Sequence, residues 1–257
     1  MEHTPHPKLE VIDIQMFRPW RWLALAWQDM KHSPLAGVVH GLILAVVCGS
    51  LFWLAHDDFA WIAAMVSVSM IIAPLLATGL YDISRRLERG EAATLGDAFR
   101  VWTSGDKRLI HFGLLLALSS AGWMLISATF IHWMLPDSVH TPADFLRLVV
   151  LQPEFGLFEL WVVVGALMAA PMFASTLVTL PLLMDHPTLT VRQAVLTSWR
   201  AVAMNPFAMA CWAAILGMFT ALGVVTAFVG LLVVVPLLGH ASWHAYRDLV
   251  AYDPTAH

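Results

Sequence analysis

The sequence predicts an all-α polytopic membrane protein with six transmembrane helices. Hydrophobic residues make up 59% of the 257 residues and charged residues only 12%, whereas soluble chains carry about 25% charged residues. The apolar residues are gathered into long stretches, and the mean hydropathy is +0.73. The polar segments between these stretches are too short to form a soluble domain. We therefore expect a single membrane domain over 1–257, with 1–14 as a polar N-terminal tail.

Six stretches are long enough to cross a bilayer, which takes about 20 apolar residues in a helix. They are 35–55, 59–80, 109–133, 158–184, 206–222 and 224–243. Pro171 interrupts the fourth stretch and indicates a kink or a tilt there. The fifth and sixth stretches are nearly continuous. We divide them near Gly223 because together they are too long for one span.

Three interfacial helices are predicted before the first, third and fifth spans, at 15–32, 94–104 and 190–202. Thr94 with Asp97, and Thr190 with Gln193, have the spacing of capping boxes at helix starts. Each helix has an apolar stripe: Trp20, Leu23, Trp27 and Met30; Leu95, Ala98, Phe99 and Trp102; Val191, Ala194, Val195 and Trp199. Trp stripes opposed by charged residues are typical of amphipathic helices in the membrane interface. The alternative is that the three helices pack on one another as a cytoplasmic layer.

The order of short helix, span, span occurs three times, which indicates three units of one design. The second span of each unit contains Pro-Leu-Leu, at Pro74, Pro181 and Pro236. Seven positions separate a tryptophan from the start of the next span in all three units: Trp27 and Pro34, Trp102 and Leu109, Trp199 and Pro206. A Leu-rich composition would also produce such triplets by chance, so both explanations stay open.

The basic residues predict the orientation. Of 14 Lys and Arg residues, all but Arg147 fall on one side of the predicted spans. The positive-inside rule makes that side cytoplasmic, and it then holds both chain termini. The polar segment from Met1 to Asp13 lacks the apolar core of a signal peptide, so we expect the first span to stay in the membrane.

Four histidines are the candidate metal-binding residues, and all are expected near the cytoplasmic ends of their spans. They are His40, His111, His240 and His244. Two of them, His240 and His244, are four residues apart and share a helix face, a spacing that suits two ligands of one metal or a haem site. The alternative is that these histidines cap helix ends or bind lipid headgroups and water.

No catalytic motif is present in the sequence, so we do not expect an enzyme. Cys48 and Cys211 lie in apolar stretches without a CxxC spacing, which is typical of small packing residues. No Asp, Glu, Lys or Arg residue lies in the middle of a span, which argues against an ion-driven transporter. The segment Tyr246-Arg247-Asp248 is interpreted as a helix end with an anchoring aromatic residue and a local ion pair.

Three segments carry a family resemblance: "PWRWLALAWQDMKHSPLAG" (19–37), "GLYDISRRLERGEAATLGDAF" (79–99) and "PLLGHASWHAYRDL" (236–249). They resemble the uncharacterised bacterial family of predicted integral membrane proteins known as domain of unknown function 2189, from about Ile14 to Leu249. The ending is also similar to the membrane regions attached to some glycerophosphodiester phosphodiesterases. The resemblance implies a proteobacterial inner-membrane protein, and it assigns no activity and no functional residue.

The leading functional hypothesis is a non-enzymatic scaffold or accessory subunit of a membrane complex. The alternatives are a metal- or haem-associated membrane protein that uses the four histidines, and a carrier or channel for a small neutral or lipid-like solute. We expect the lipid bilayer as a partner, with a membrane protein or a second copy as further candidates, and no nucleic acid. The cofactor is left unassigned: the scaffold hypothesis needs none, and the alternative needs a metal or a haem.

Overall fold

The computed structural model describes residues 8–55, 59–135, 139, 141–151 and 156–253. Its helices are α1 (Arg18–His32), α2 (Pro34–Ala55), α3 (Phe59–Glu88), α4 (Leu95–Thr103), α5 (Lys107–Met134), α6 (Pro142–Phe145), α7 (Leu157–Thr176), α8 (Thr179–Asp185), α9 (Val191–Met204), α10 (Pro206–Val225) and α11 (Leu231–Leu249). A π-helical turn at Leu146–Val150 follows α6. The strands β1 (Lys8–Val11) and β2 (Val250–Asp253) pair antiparallel and join the two ends of the described chain. The predicted all-α fold is confirmed.

Four helical segments in the described residues are long and apolar enough to cross a membrane. They are Pro34–Leu54, Lys107–Met134, Leu157–Asp185 and Pro206–Val225, which correspond to the first, third, fourth and fifth predicted spans. The second predicted span lies within the 30-residue helix α3. The sixth overlaps α11, which is unusually well buried for a span. The exact count of six stays a prediction.

The division between the last two spans differs from the predicted one. Gly223 lies inside α10, which continues to Val225, and α11 begins only at Leu231. A Cβ atom at Gly223 would come 2.5 Å from the Leu231 side chain, so this glycine allows close packing of α10 on α11. The chain reverses instead at Ala227 and Phe228, whose φ angles of 51° and 69° place them in the left-handed region.

The three predicted amphipathic helices are present as α1, α4 and α9. Capping boxes begin α4 and α9 as the sequence indicates. Their inner faces are buried against protein, as Trp22 and Ala26 of α1 show at 0% exposure. Trp20 and Trp27 are instead about half exposed, and so is Trp199. Each helix therefore packs on the protein. Trp20, Trp27 and Trp199 face outward, whereas Trp22 is buried and Trp102 of α4 donates a hydrogen bond to the Leu75 carbonyl oxygen. The placement of these helices in a membrane interface stays a prediction.

The packing of the short helices follows the threefold pattern of the sequence. The units are α1–α2–α3, α4–α5–α7 and α9–α10–α11. α1 packs on α11, α4 packs on α3, and α9 packs on α7. Each short helix thus lies against the last long helix of another unit, in cyclic order. This regularity supports three related units more strongly than the repeated Pro-Leu-Leu triplets do.

The long helices form an open arc in the order α10, α11, α2, α3, α5, α7. α2 approaches the backbone of α11 closely, since a Cβ atom at Gly41 would lie 2.6 Å from the Leu232 Cα atom. Small residues permit such contacts between membrane helices. The two ends of the arc, α7 and α10, do not pack against each other along their described lengths.

Candidate functional site

The buried polar groups of the protein are concentrated at one end of the arc. We call it the basic end: α1, α4 and α9, with the last turns of α3 and α11. The central helix there is α11, which packs against α1, α2 and α3. Its last turns bury His240, Trp243, Tyr246 and Leu249. Polar side chains buried at such a position require partners, and α11 finds them on several different helices.

The predicted histidine pair lies in a cluster with Asp29 and Ser84. The Ser84 hydroxyl is 2.6 Å from Asp29 Oδ2 and 2.7 Å from His240 Nδ1. His244 Nε2 is 2.8 Å from the same Asp29 Oδ2. The i, i+4 spacing therefore does place both imidazoles on one face of α11, where they meet α1 through Asp29 and α3 through Ser84.

The hydrogen bonds define which ring nitrogens carry protons. The ionised Asp29 carboxylate can only accept, so Ser84 donates its single proton to Asp29 and accepts one from His240 Nδ1. His244 donates from Nε2 to Asp29 for the same reason. The His240 Nε2 atom is then an unprotonated acceptor. It is buried and has no hydrogen-bond partner among the described residues.

His40 also has a buried Nε2 atom without a hydrogen-bond partner among the described residues, whereas His111 is exposed. His40 is fully buried on α2, and its Nδ1 atom donates to the Ala36 carbonyl oxygen at 2.7 Å. Its Nε2 atom is buried without a partner in the described structure and lies against Gly79. His111, on α5, is exposed. The structure thus brings His240 and His244 together, leaves His40 buried on the neighbouring helix α2, and separates His111 from them.

The Asp29 carboxylate is held in its charged form. Burial raises the pKa of Asp29, but the hydrogen bonds from His244 and Ser84 and the electrostatic interaction with His244 lower it by more, so that the pKa lies below its ordinary value. A deprotonated carboxylate at this point ties α1 to both α3 and α11.

The segment Tyr246-Arg247-Asp248 joins three helices, which differs from the local ion pair that we expected. The Tyr246 hydroxyl donates to Asp185 of α8 at 2.9 Å. Arg247 donates to Glu88 of α3 at 3.0 Å. Asp248 accepts hydrogen bonds from Arg18 at 2.6 Å and from the Trp22 indole at 2.7 Å, both in α1.

Two arginines donate hydrogen bonds to backbone carbonyl oxygens at the end of α8. Arg108 donates to the carbonyl oxygens of Leu183, His186 and Leu189, each at 3.0 Å, and Arg85 donates to that of Met184 at 2.9 Å. The last carbonyl groups of a helix have no partner within the helix, so these contacts fasten α8 to α3 and α5.

The residue types of a Ser-His-Asp triad are present, but their order is wrong for that chemistry. In a triad the histidine lies between serine and carboxylate, whereas here Ser84 lies between His240 and Asp29. Ser84 and His240 are also 1% and 0% exposed, so a substrate cannot reach them in this conformation. Among the described residues, no group of three or more His, Cys, Asp or Glu side chains is arranged to hold a metal ion.

The nearest opening is a surface cavity of about 250 Å³ between α1, α3 and α11. It is lined by Gln28, Asp29, His32, Leu87, Glu88 and His244. The carboxylates of Asp29 and Glu88 are already bound to His244 and Arg247. These contacts tie α1, α3 and α11 together around the cavity.

Sequence reasoning missed the two residues that organise this cluster. In the sequence, Asp29 lies opposite the apolar stripe of the first predicted amphipathic helix, and Ser84 lies in the charged segment after the second predicted span. One local signal exists for Ser84. It follows Asp82 at the charged end of an apolar helix, and a serine buried at such a position requires a hydrogen-bond partner. Nothing in a single sequence pairs Asp29 with residues more than 200 positions away.

The fold and the site together define a polytopic α-helical integral membrane protein. The model of the family described as predicted integral membrane protein, domain of unknown function 2189, matches residues 62–185. This match confirms the family resemblance over that part of the chain. No curated protein matches the sequence, and no solved structure matches the fold.

Proposed function

We propose that the protein is a non-enzymatic scaffold or accessory subunit that holds a helix of another membrane protein, or of a second copy, between α7 and α10. The observation that carries this proposal is the open arc. Its two terminal helices are long and apolar, and along their described lengths they do not pack on each other, although the short helix α9 contacts both. At the basic end, the polar side chains of different helices form hydrogen bonds with one another, and such contacts suit a structural role.

The uncovered surface is extensive on α7 and smaller on α10, where 28% of the most apolar 18 residues are buried. In the most apolar 18 residues of the segment Leu157–Asp185, only 6% of the positions are buried, against 33% in α2. Leu167 of α7 and Phe207 of α10 are 68% and 73% exposed. Association of membrane helices depends on packing of such surfaces, so the gap between α7 and α10 is the natural place for a partner helix.

The basic end is proposed to face the cytoplasm of a bacterial cell, with the protein in the inner membrane. The support is the placement of basic residues, which favours the cytoplasmic side in short loops. A C-terminal fusion to green fluorescent protein tests this orientation, because the fusion protein fluoresces when it folds in the cytoplasm. A dark fusion of normal abundance would contradict the orientation.

Photo-crosslinking tests the scaffold proposal directly. A benzophenone amino acid is placed at Leu167 of α7 or Phe207 of α10, and in a control at Leu118 of α5, which is 70% exposed and belongs to neither terminal helix. We expect a discrete protein adduct from Leu167 and Phe207 in native membranes and none from Leu118. Adducts with lipid alone would contradict the scaffold and favour a carrier of a lipid-like solute.

A metal- or haem-associated protein is the second candidate. Its specific support is the pair of buried, unpartnered Nε2 atoms of His40 and His240, since a neutral imidazole nitrogen is a common metal ligand. The absorption spectrum and metal content of protein purified in mild detergent test it. A haem band or bound metal that is lost in His240→Ala, and kept in His111→Ala, would favour this candidate over the scaffold.

A further inference from the structure

The connection between α10 and α11 is apolar throughout. From Gly223 to Gly230 the sequence is GVVTAFVG, with Thr226 as its one polar side chain. Val225 and Val229 are 83% and 65% exposed. The two other connections at this end of the bundle contain acidic residues, at 57–58 and at 137, 144 and 154. An exposed turn without a charge is unusual for a segment in water.

The backbone of this turn satisfies its own hydrogen bonds. Every N–H group from Thr226 to Val234 has an acceptor within the segment 222–230. The Thr226 hydroxyl donates to the Leu222 carbonyl oxygen and accepts from the Gly230 N–H, both at 2.8 Å. The left-handed backbone at Ala227 and Phe228 allows this closure, although such a conformation is unfavourable for residues with a side chain.

Internal satisfaction of this kind is required of backbone in hydrocarbon. A turn in water can leave N–H groups to the solvent, but the bilayer interior offers none, and an unpaired group there costs several kcal/mol. A position of the turn in lipid would therefore account for the left-handed conformation of Ala227 and Phe228 and for the hydrogen bonds of the Thr226 hydroxyl.

The packing of α11 gives the depth of the turn. Gly239 lies against Leu80, since a Cβ atom there would be 2.5 Å from Leu80 Cδ1, and the buried polar cluster begins just beyond both residues. From this level α11 rises only about 12 Å to Leu231, whereas α3 rises about 32 Å to Phe59 at 1.5 Å per residue. The hydrocarbon core is about 30 Å thick.

The contact with α2 agrees with this depth. Leu232 lies against Gly41, and the Phe228 ring lies beside Gly49 and 5.8 Å from the Phe52 ring between centroids. α2 continues from Gly49 to Ala55, about 9 Å further. The backbone of the turn therefore ends below the outer end of α2.

We propose that α10 and α11 form a re-entrant hairpin whose tip, Val225–Val229, lies inside the bilayer and contacts lipid acyl chains. α10 enters from the basic end and α11 returns to it, so the pair does not cross the membrane. Four full crossings by α2, α3, α5 and α7–α8 then leave both termini on the same side. The hairpin does not depend on the scaffold role.

Cysteine accessibility tests the hairpin. Val225→Cys and Val229→Cys are made in a chain where Cys48 and Cys211 are alanine. Trp133→Cys and Met134→Cys serve as controls at the outer end of α5, where these two side chains are 76% and 40% exposed. A membrane-impermeant maleimide is applied to intact cells from outside. We expect the tip cysteines to react at least tenfold more slowly than the controls, and to react fully after denaturation in detergent.

Depth-dependent quenching gives a second, independent readout. A fluorophore on the same tip cysteines is reconstituted into vesicles with nitroxide lipids labelled near the headgroup or deep in the acyl chain. The hairpin predicts stronger quenching by the deep label at Val225 and Val229, and by the shallow label at the two control positions. Stronger shallow quenching at the tip, or tip labelling as fast as the controls, would overturn the proposal.

Discussion

Replacement of Gly41 by alanine is expected to destabilise the protein by separating α2 from α11. The added Cβ atom would lie 2.6 Å from the Leu232 Cα atom and 2.8 Å from the carbonyl oxygens of Leu231 and Leu232. All three are backbone atoms, so no side-chain rotation can relieve the clash. Overpacking of this kind costs about 1–3 kcal/mol, which corresponds to a fall in Tm of about 3–10 °C for a chain of this size.

Gly217→Ala is the matched control. Gly217 lies in the middle of α10, and a Cβ atom there would meet nothing within 4 Å. Both substitutions replace a helical glycine by alanine, so the gain in helix propensity, about 1 kcal/mol, is common to them. The difference between the two variants therefore isolates the close contact between α2 and α11.

A thiol-reactive fluorogenic dye supplies the assay. Cys48 of α2 is 6% exposed and becomes reactive when α2 leaves α11, so the dye reports this step on heating in detergent. We expect Gly41→Ala to melt several degrees below the parent protein and Gly217→Ala to melt at or above it. Equal Tm values for the two variants would refute the packing of α2 on α11.

The remaining predictions concern the basic end. Tyr246→Phe removes the hydrogen bond to Asp185 and leaves the ring in place, so it should cost about 1 kcal/mol, measured as a lower Tm in the same dye assay. Asp248→Asn should weaken the attachment of α1, seen as faster proteolysis of the N-terminal segment; unchanged cleavage would contradict the role of Asp248. The pKa values of Asp29 and Asp248 are lowered in the folded protein. Their ionised forms therefore contribute their full stabilisation above the unfolded pKa, about 4, and this stabilisation is lost as the pH falls through the folded pKa values. The Tm should therefore drop on acidification below about pH 4. His111→Ala should leave Tm within about 1 °C of the parent, because an exposed side chain away from the cluster contributes little.

The helices were predictable because their signals are local. Apolar length identifies the membrane helices, and the spacing of Thr94 from Asp97 identifies the start of α4. The division at Gly223 failed because glycine has two uses, as a helix breaker and as a site of close packing, and local sequence does not distinguish them. The chain reversal at Ala227 and Phe228 depends on backbone hydrogen bonds within the turn, and these residue types do not predict it.

The candidate site was predictable only in part. The spacing of His240 and His244 correctly places them on one face of α11. Their partners Asp29 and Ser84 come from α1 and α3, and such pairings depend on how helices pack in three dimensions. For the same reason, the contacts of Tyr246, Arg247 and Asp248 with three different helices could not be predicted from the local sequence.

The native mass of the protein in its own membrane tests the account most directly. The chain, 28.4 kDa, is extracted at natural expression level into lipid nanodiscs, and the protein mass is measured by light scattering. The scaffold account predicts a stoichiometric complex that dissociates when Leu167→Arg and Phe207→Arg place charges in the gap between α7 and α10, while Leu118→Arg leaves it intact. A homogeneous monomer in the parent protein would contradict it.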